Sequence, residues 1–187
     1  MLLINILFAV LPFFGAHQNG ICNQNNQVLN HGEKLKYNLY YNVVGLYVKA
    51  GQAEFNTTLE KYGTNDSYHF LATGKSNAKY DWIFKVRDIY ESFVDVKTSM
   101  PFEFKREINE GSFHQKDVVK FDQKNKTAIS NGNSVLIPDC TFDVISIFYS
   151  ARNLNFSKLE INDKVNFNFF IDNQNYPSYF RYLGKET

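Results

Sequence analysis

The sequence predicts a mainly β fold: a curled antiparallel sheet or partly open β-barrel with one amphipathic helix packed on it. Three observations carry this. Phe and Tyr number 18 and 12 among 187 residues, and aromatic rings fit the half-buried pleated surface of a sheet. Long stretches alternate apolar and polar residues with period two, as strands with one buried face do. Turn residues separate these stretches at intervals that suit consecutive hairpins.

The chain opens on an apolar run, residues 2–16, interrupted by Asn5 and Pro12. It is shorter than the ~20 residues a membrane-spanning helix needs. Its length suits the core of a secretory signal, with the small residues Gly15 and Ala16 at its end. Residues 1–16 are therefore read as a signal peptide, the rival being a buried N-terminal strand or helix. The first basic side chain, Lys34, lies well after the run rather than before it. Only Phe8, Phe13 and Phe14 of the aromatics fall inside the run, so the aromatic bias belongs to the rest of the chain. Residues 17–33 form a polar arm, and 34–187 are read as one β-rich domain.

In the first strand Leu35, Tyr37, Leu39, Tyr41 and Val43 share one face. Gly45 allows a turn, and Ala53, Phe55, Thr57 and Leu59 alternate in the next strand. Gly63 to Ser67 is turn material, after which Tyr68, Phe70 and Ala72 begin a third strand. Residues 76–85 lack alternation and read as a short helix or an irregular crossing around Trp82. Alternation returns at 86–96, again from Phe102 to Ile108, near 113–122 and at 126–130. Asn131-Gly132 marks a turn. Pro138 to Thr141 reads as a helix start with Asp139 or Thr141 as N-cap. Phe142, Ile145, Phe148 and Tyr149 then form an apolar stripe on a helix placed at about 139–152. Strands resume with Val165, Phe167, Phe169 and Ile171, and with Tyr179 to Leu183.

Charge narrows the function classes. Lys and Arg total 20 against 19 Asp and Glu, so the basic excess of a nucleic-acid binder is missing. Cys22 and Cys140 could form one disulfide in an exported protein, with free buried thiols or lipidation of Cys22 as rivals. No CxxC or Cys/His metal spacing occurs, and no metal or cofactor is expected.

Once the strands are placed, several short segments resemble the family of the domain of unknown function 3108. They are Gly32-Glu33-Lys34-Leu35-Lys36-Tyr37, Lys49-Ala50-Gly51-Gln52-Ala53, Val86-Arg87-Asp88, the step from Ser92 to Asp95, Pro101-Phe102-Glu103-Phe104, Val119-Lys120-Phe121-Asp122 and Ile137 to Val144. The similarity spans about residues 30–187. It implies an exported envelope protein of Gram-negative, Bacteroidetes-like bacteria, periplasmic or secreted, with a long curled sheet and no agreed catalytic residues. In the family the Gly184-Lys185-Glu186 step opens further strands, so the resemblance implies that this chain stops before them.

The residues show no nucleophile motif: His17, His31, His69 and His114 are scattered, and Gly-x-Ser-x-Gly is missing. His69 reads as surface-facing. Asp81, Asp88 and Asp95 read as solvated or turn residues, with Asp88 beside Arg87 a candidate ion pair. Arg106 and Arg152 lie next to apolar positions, where an arginine holds a ligand anion or pairs with a neighbouring carboxylate. Tyr37, Tyr41, Phe55, Phe70, Phe93, Phe104, Phe121, Phe167 and Phe169 sit at inward-type positions. They make either an aromatic core or a groove for an apolar ligand. The candidate binding residues are thus Tyr37, Tyr41, Phe55, Phe104, Arg106 and Arg152. The expected function is non-catalytic: binding a lipid-like ligand or an envelope protein partner, without nucleic acid and without an integral membrane span. An assembly role for the sheet edges is the alternative, and a hydrolase the remote one.

Overall fold

The computed structural model describes residues 21–22 and 28–185. The signal-peptide reading of 1–16 and most of the polar arm lie outside them. Eight strands form one antiparallel sheet in sequence order: β1 (Lys34–Val43), β2 (Leu46–Tyr62), β3 (Asn65–Ser76), β4 (Arg87–Asp95), β5 (Pro101–Glu110), β6 (Phe113–Asp122), β7 (Thr127–Ser130) and β8 (Asn133–Leu136). β1 and β8 are its two edges, so the sheet is not closed into a barrel. A second sheet places β10 (Lys164–Ile171) between β11 (Gln174–Arg181) and the short β9 (Thr141–Phe142), which runs parallel to β10. One α-helix, α1 (Val144–Ala151), packs on β3, β4, β9 and β10.

Directly opposed residues in a sheet share a face, so the register names the inner surface row by row. Leu35, Phe55, Ala72, Tyr90, Arg106 and Asp117 form one row across six strands. Thr57, Phe70, Ser92, Phe104, Val119 and Ser130 form the next. α1 and the small sheet lie over this second row. The main core joins Phe70, Phe104, Val119 and Phe121 to Ile145, Tyr149 and Phe170. A smaller cluster joins Ile21, Met100, Phe142, Ile147 and Val165.

The helix is shorter and begins later than the 139–152 spacing predicts. Neither Asp139 nor Thr141 caps it. Asp143 does, its carboxylate accepting the Ile145 and Ser146 amides at 2.8 Å each while the Ser146 hydroxyl accepts the Asp143 amide at 3.0 Å, a reciprocal capping box. The physical reason is upstream. Cys140 adopts a left-handed φ of 62°, and Thr141 and Phe142 pair with Asn168 and Phe169, so that backbone belongs to a sheet before it can coil. Phe142 of the expected stripe is therefore a buried strand residue.

Other elements also depart from expectation. β8 follows the Asn131-Gly132 turn as an unpredicted strand. β11 starts at Gln174 because Asp172 and Asn173, with φ of 51° and 59°, close a two-residue hairpin. Residues 77–85 hold a single 3₁₀ turn, Ala78–Tyr80. Cys22 and Cys140 stand at disulfide distance, 5.7 Å between Cα atoms across 118 positions. Among the described residues no helix is long and apolar enough to cross a membrane.

Candidate functional site

The inner face of the large sheet has a covered centre and an uncovered flank. In the centre Phe70 stacks on Tyr149 of α1 with ring centroids 3.7 Å apart, and Phe104 is 1% exposed. Phe104 therefore belongs to the core. The flank is the β1–β2 hairpin, where Tyr37 opposes Ala53, Leu39 opposes Gly51 and Tyr41 opposes Val48. Tyr37 is 46% and Tyr41 71% exposed, and Leu39 and Leu46 lie open beside them. Phe55 marks the border. It stacks on Phe148 at 5.0 Å and meets Tyr37 edge-on at 5.8 Å.

The candidate arginines are both taken by carboxylates. Arg106 is buried; its Nε donates to Asp117 at 2.5 Å and its guanidinium also to Asp172 of the β10–β11 turn. Burial pushes the Asp117 carboxyl up, but hydrogen bonds from Asn131, Arg106 and Gln115 outweigh it and hold the group below the usual carboxylate range. Arg152 donates two bonds to Glu33, at 2.6 and 2.7 Å, and lies over the Tyr149 ring. That bidentate pair keeps the Glu33 carboxyl below its ordinary range and fixes the start of β1 to the end of α1. Neither arginine is left to hold a ligand anion.

Polar groups reach the inner face too. Ser92 donates to the fully buried Asp143 at 2.6 Å, and burial pushes that carboxyl up. Asp88 is buried and accepts the Asn109 amide at 2.9 Å. Arg87 pairs with Asp81 at 2.6 Å instead, because adjacent strand residues point to opposite faces. Asp95 accepts the amides of Lys97 and Thr98, as a turn residue does. With Asp88, Ser92 and Val94 inside, Phe93 is displaced to the outer face, against the expected inward position. There it stacks on His69 at 4.4 Å. Phe169 is likewise only half-buried, while its neighbour Phe170 is completely buried.

The outer face thus gathers a group that separate strands hid from sequence reading. His69 Nδ1 lies 3.1 Å from Glu60 and Nε2 2.9 Å from Glu91. Beside it Tyr62 donates to Glu103 at 3.1 Å, and burial, with that carboxylate, pushes the phenol up to about 12. On this outer face His69 is held between two carboxylates, a setting that its surface-facing position alone did not show. Among the described residues no group of His, Cys, Asp or Glu is arranged to hold a metal.

Open clefts of about 390 and 470 Å³ flank the Cys22–Cys140 pair. One of about 160 Å³ lies over Arg106, Asp117 and Asp172, and one of about 340 Å³ between Lys49, Lys75 and Arg87. Comparison with known proteins gives one result: the model of a family described as a protein of unknown function (DUF3108) matches residues 36–187. No curated protein and no solved structure matches the chain.

Proposed function

Since the chain belongs to the DUF3108 family, we propose that it is an exported, non-catalytic binding module whose uncovered aromatic flank takes an apolar, lipid-like ligand. One observation carries this reading. The face that forms the core in the centre of the sheet continues onto the β1–β2 hairpin through Tyr37 and Leu39, and beyond a register shift between Leu39 and Tyr40 the hairpin adds Tyr41 and Leu46, all four open to solvent. Contiguous exposed apolar surface on a soluble domain marks a contact site. The two arginines nearest the inner face support apolar recognition further, because Arg106 and Arg152 are already paired with carboxylates. The disulfide-distance cysteines and the leading apolar run support export to an oxidising compartment, the periplasm or the exterior.

The test is displacement of a fluorescent fatty-acid analogue, with native mass spectrometry of the purified chain. Binding that falls at least tenfold in Tyr37→Ala/Leu39→Ala supports the reading. No bound lipid and no displacement overturn it. A second reading, an envelope protein adding a strand, rests on β1 being a ten-residue edge strand, a ready template for pairing. A stoichiometric partner recovered from envelope extract and lost in Asn38→Pro would favour it over the first.

A further inference from the structure

Residues 77–85 cross one end of the large sheet and hold three apolar side chains outward. Trp82, Ile83 and Phe84 are 82%, 64% and 54% exposed. They are tied there by specific bonds. The Asn77 amide N–H donates to the Ala50 carbonyl at 2.7 Å and its side chain to the Lys49 carbonyl at 3.1 Å. Its side-chain oxygen accepts the Lys79 amide at 3.1 Å. The Ile83 and Phe84 amides both donate to the Tyr80 carbonyl. Asp81 receives Arg87 at 2.6 Å and the Ser76 hydroxyl at 2.5 Å. Phe84 rests against Gly111 of the β5–β6 turn, where a Cβ would stand 3.0 Å from its ring. A segment anchored on three sides thus presents its tryptophan to water, although tryptophan is on average a highly buried residue.

Positive charge surrounds this tip. The adjoining cleft of about 340 Å³ is lined by Lys49, Lys75 and Arg87 together with Gln52, Ser76 and Asn77. Asp81 engages Arg87, so Lys49 and Lys75 supply the cleft's available charge. Lys79 and Lys85 are exposed on the crossing itself. The nearby carboxylates face elsewhere: Asp88 is buried on the inner face, and Glu110 is half-buried beside it.

Aromatic tips set among lysines are complementary to a bilayer interface, where rings settle at headgroup depth and ammonium groups meet lipid phosphates. We propose that this end of the sheet seats on an anionic bilayer surface, with Trp82, Ile83 and Phe84 entering the interface and Lys49 and Lys75 receiving a headgroup phosphate. The contact is peripheral. Lys49 and the Leu39-opposed Gly51 belong to the β1–β2 hairpin, but Tyr37, Leu39, Tyr41 and Leu46, the side chains of the ligand flank, take no part in the contact, and its evidence is independent of that flank's ligand.

Trp82 is the sole tryptophan of the chain, so its emission reports insertion directly. The full chain is mixed with phosphatidylcholine vesicles, with or without phosphatidylglycerol, and followed by emission and by flotation. The expected result is a blue shift and co-flotation with the anionic vesicles only. Lys49→Gln/Lys75→Gln should lower partitioning about twenty-fivefold, at roughly fivefold per lysine. Trp82→Ser/Ile83→Ser should abolish flotation with an unchanged circular dichroism spectrum, and Tyr37→Ala should leave it intact. Equal flotation with both vesicles, or none with either, overturns the proposal. So does a response to inorganic phosphate with no vesicle binding, which would make the cleft a simple anion site.

Discussion

Phe70 and Tyr37 are both aromatic residues at inward positions of strands in one sheet, yet one is 1% and the other 46% exposed. The difference lies in what crosses above them. Phe70 meets Tyr149 of α1, with a buried layer extending to Phe170 of the small sheet. Tyr37 meets Phe55 edge-on at the border of that cover. Alternation thus specifies which face a side chain takes, while cover is supplied by segments more than seventy residues downstream. The centre buries its aromatics and the flank leaves them open, and substitutions should separate the two.

The largest effect is expected in the centre. Phe70→Ala removes a fully buried ring stacked on α1 and should cost about 4 kcal/mol in urea unfolding, against less than about 1 kcal/mol for Tyr37→Ala. Equal losses would dissolve the distinction. Next comes the helix cap: Asp143→Ala removes the acceptor for two amides and leaves the Ser92 hydroxyl unpaired, costing about 2 kcal/mol. Asp143→Asn should restore most of it, since the amide oxygen still accepts at the N-cap.

A gain is expected on the flank. Val44 is fully exposed at the hairpin tip with φ of 49°, a left-handed conformation that a β-branched residue rarely adopts. Val44→Asn should raise stability by about 1 kcal/mol, because asparagine tolerates that region. A loss of stability would show that the valine packs usefully.

The smallest effect joins the two halves. Arg152 holds the Glu33 carboxyl below its ordinary range, so on acidification the unfolded chain takes up this proton first. The stability the pair contributes is present above the usual carboxylate range of about 4.3 and is lost as pH falls through the lower, folded value. The stability difference between the protein and Glu33→Gln should therefore shrink as pH falls below about 4.3, and a constant difference would contradict the ion pair.

Much of the large sheet was legible because its alternation is local. Leu35, Tyr37 and Leu39, or Tyr68, Phe70 and Ala72, declare a shared face with no knowledge of neighbours. The reading failed where a polar residue faces inward. Asp88 and Ser92 look like solvent positions until Asn109 and Asp143, from distant segments, provide their partners, and that inversion put Phe93 on the wrong face. The helix bounds failed for a related reason: β9 exists only because β10 passes beside it. Of the candidate site, Tyr37 and Tyr41 read as inward-type aromatics that could be core or groove, and the structure leaves them open. Phe104, Arg106 and Arg152 were not separable from them by sequence, since burial and ion pairing are decided by residues far along the chain.

By itself the sequence determined the fold class, the family, and a face rich in aromatic side chains, because period-two patterning and turn chemistry act over a few residues. Only the tertiary structure decided which aromatics are core and which remain open, which carboxylate neutralises each arginine, and that Trp82 stands in water among lysines. Those outcomes depend on long-range packing and on hydrogen bonds between strands, which bring together groups that no local pattern relates.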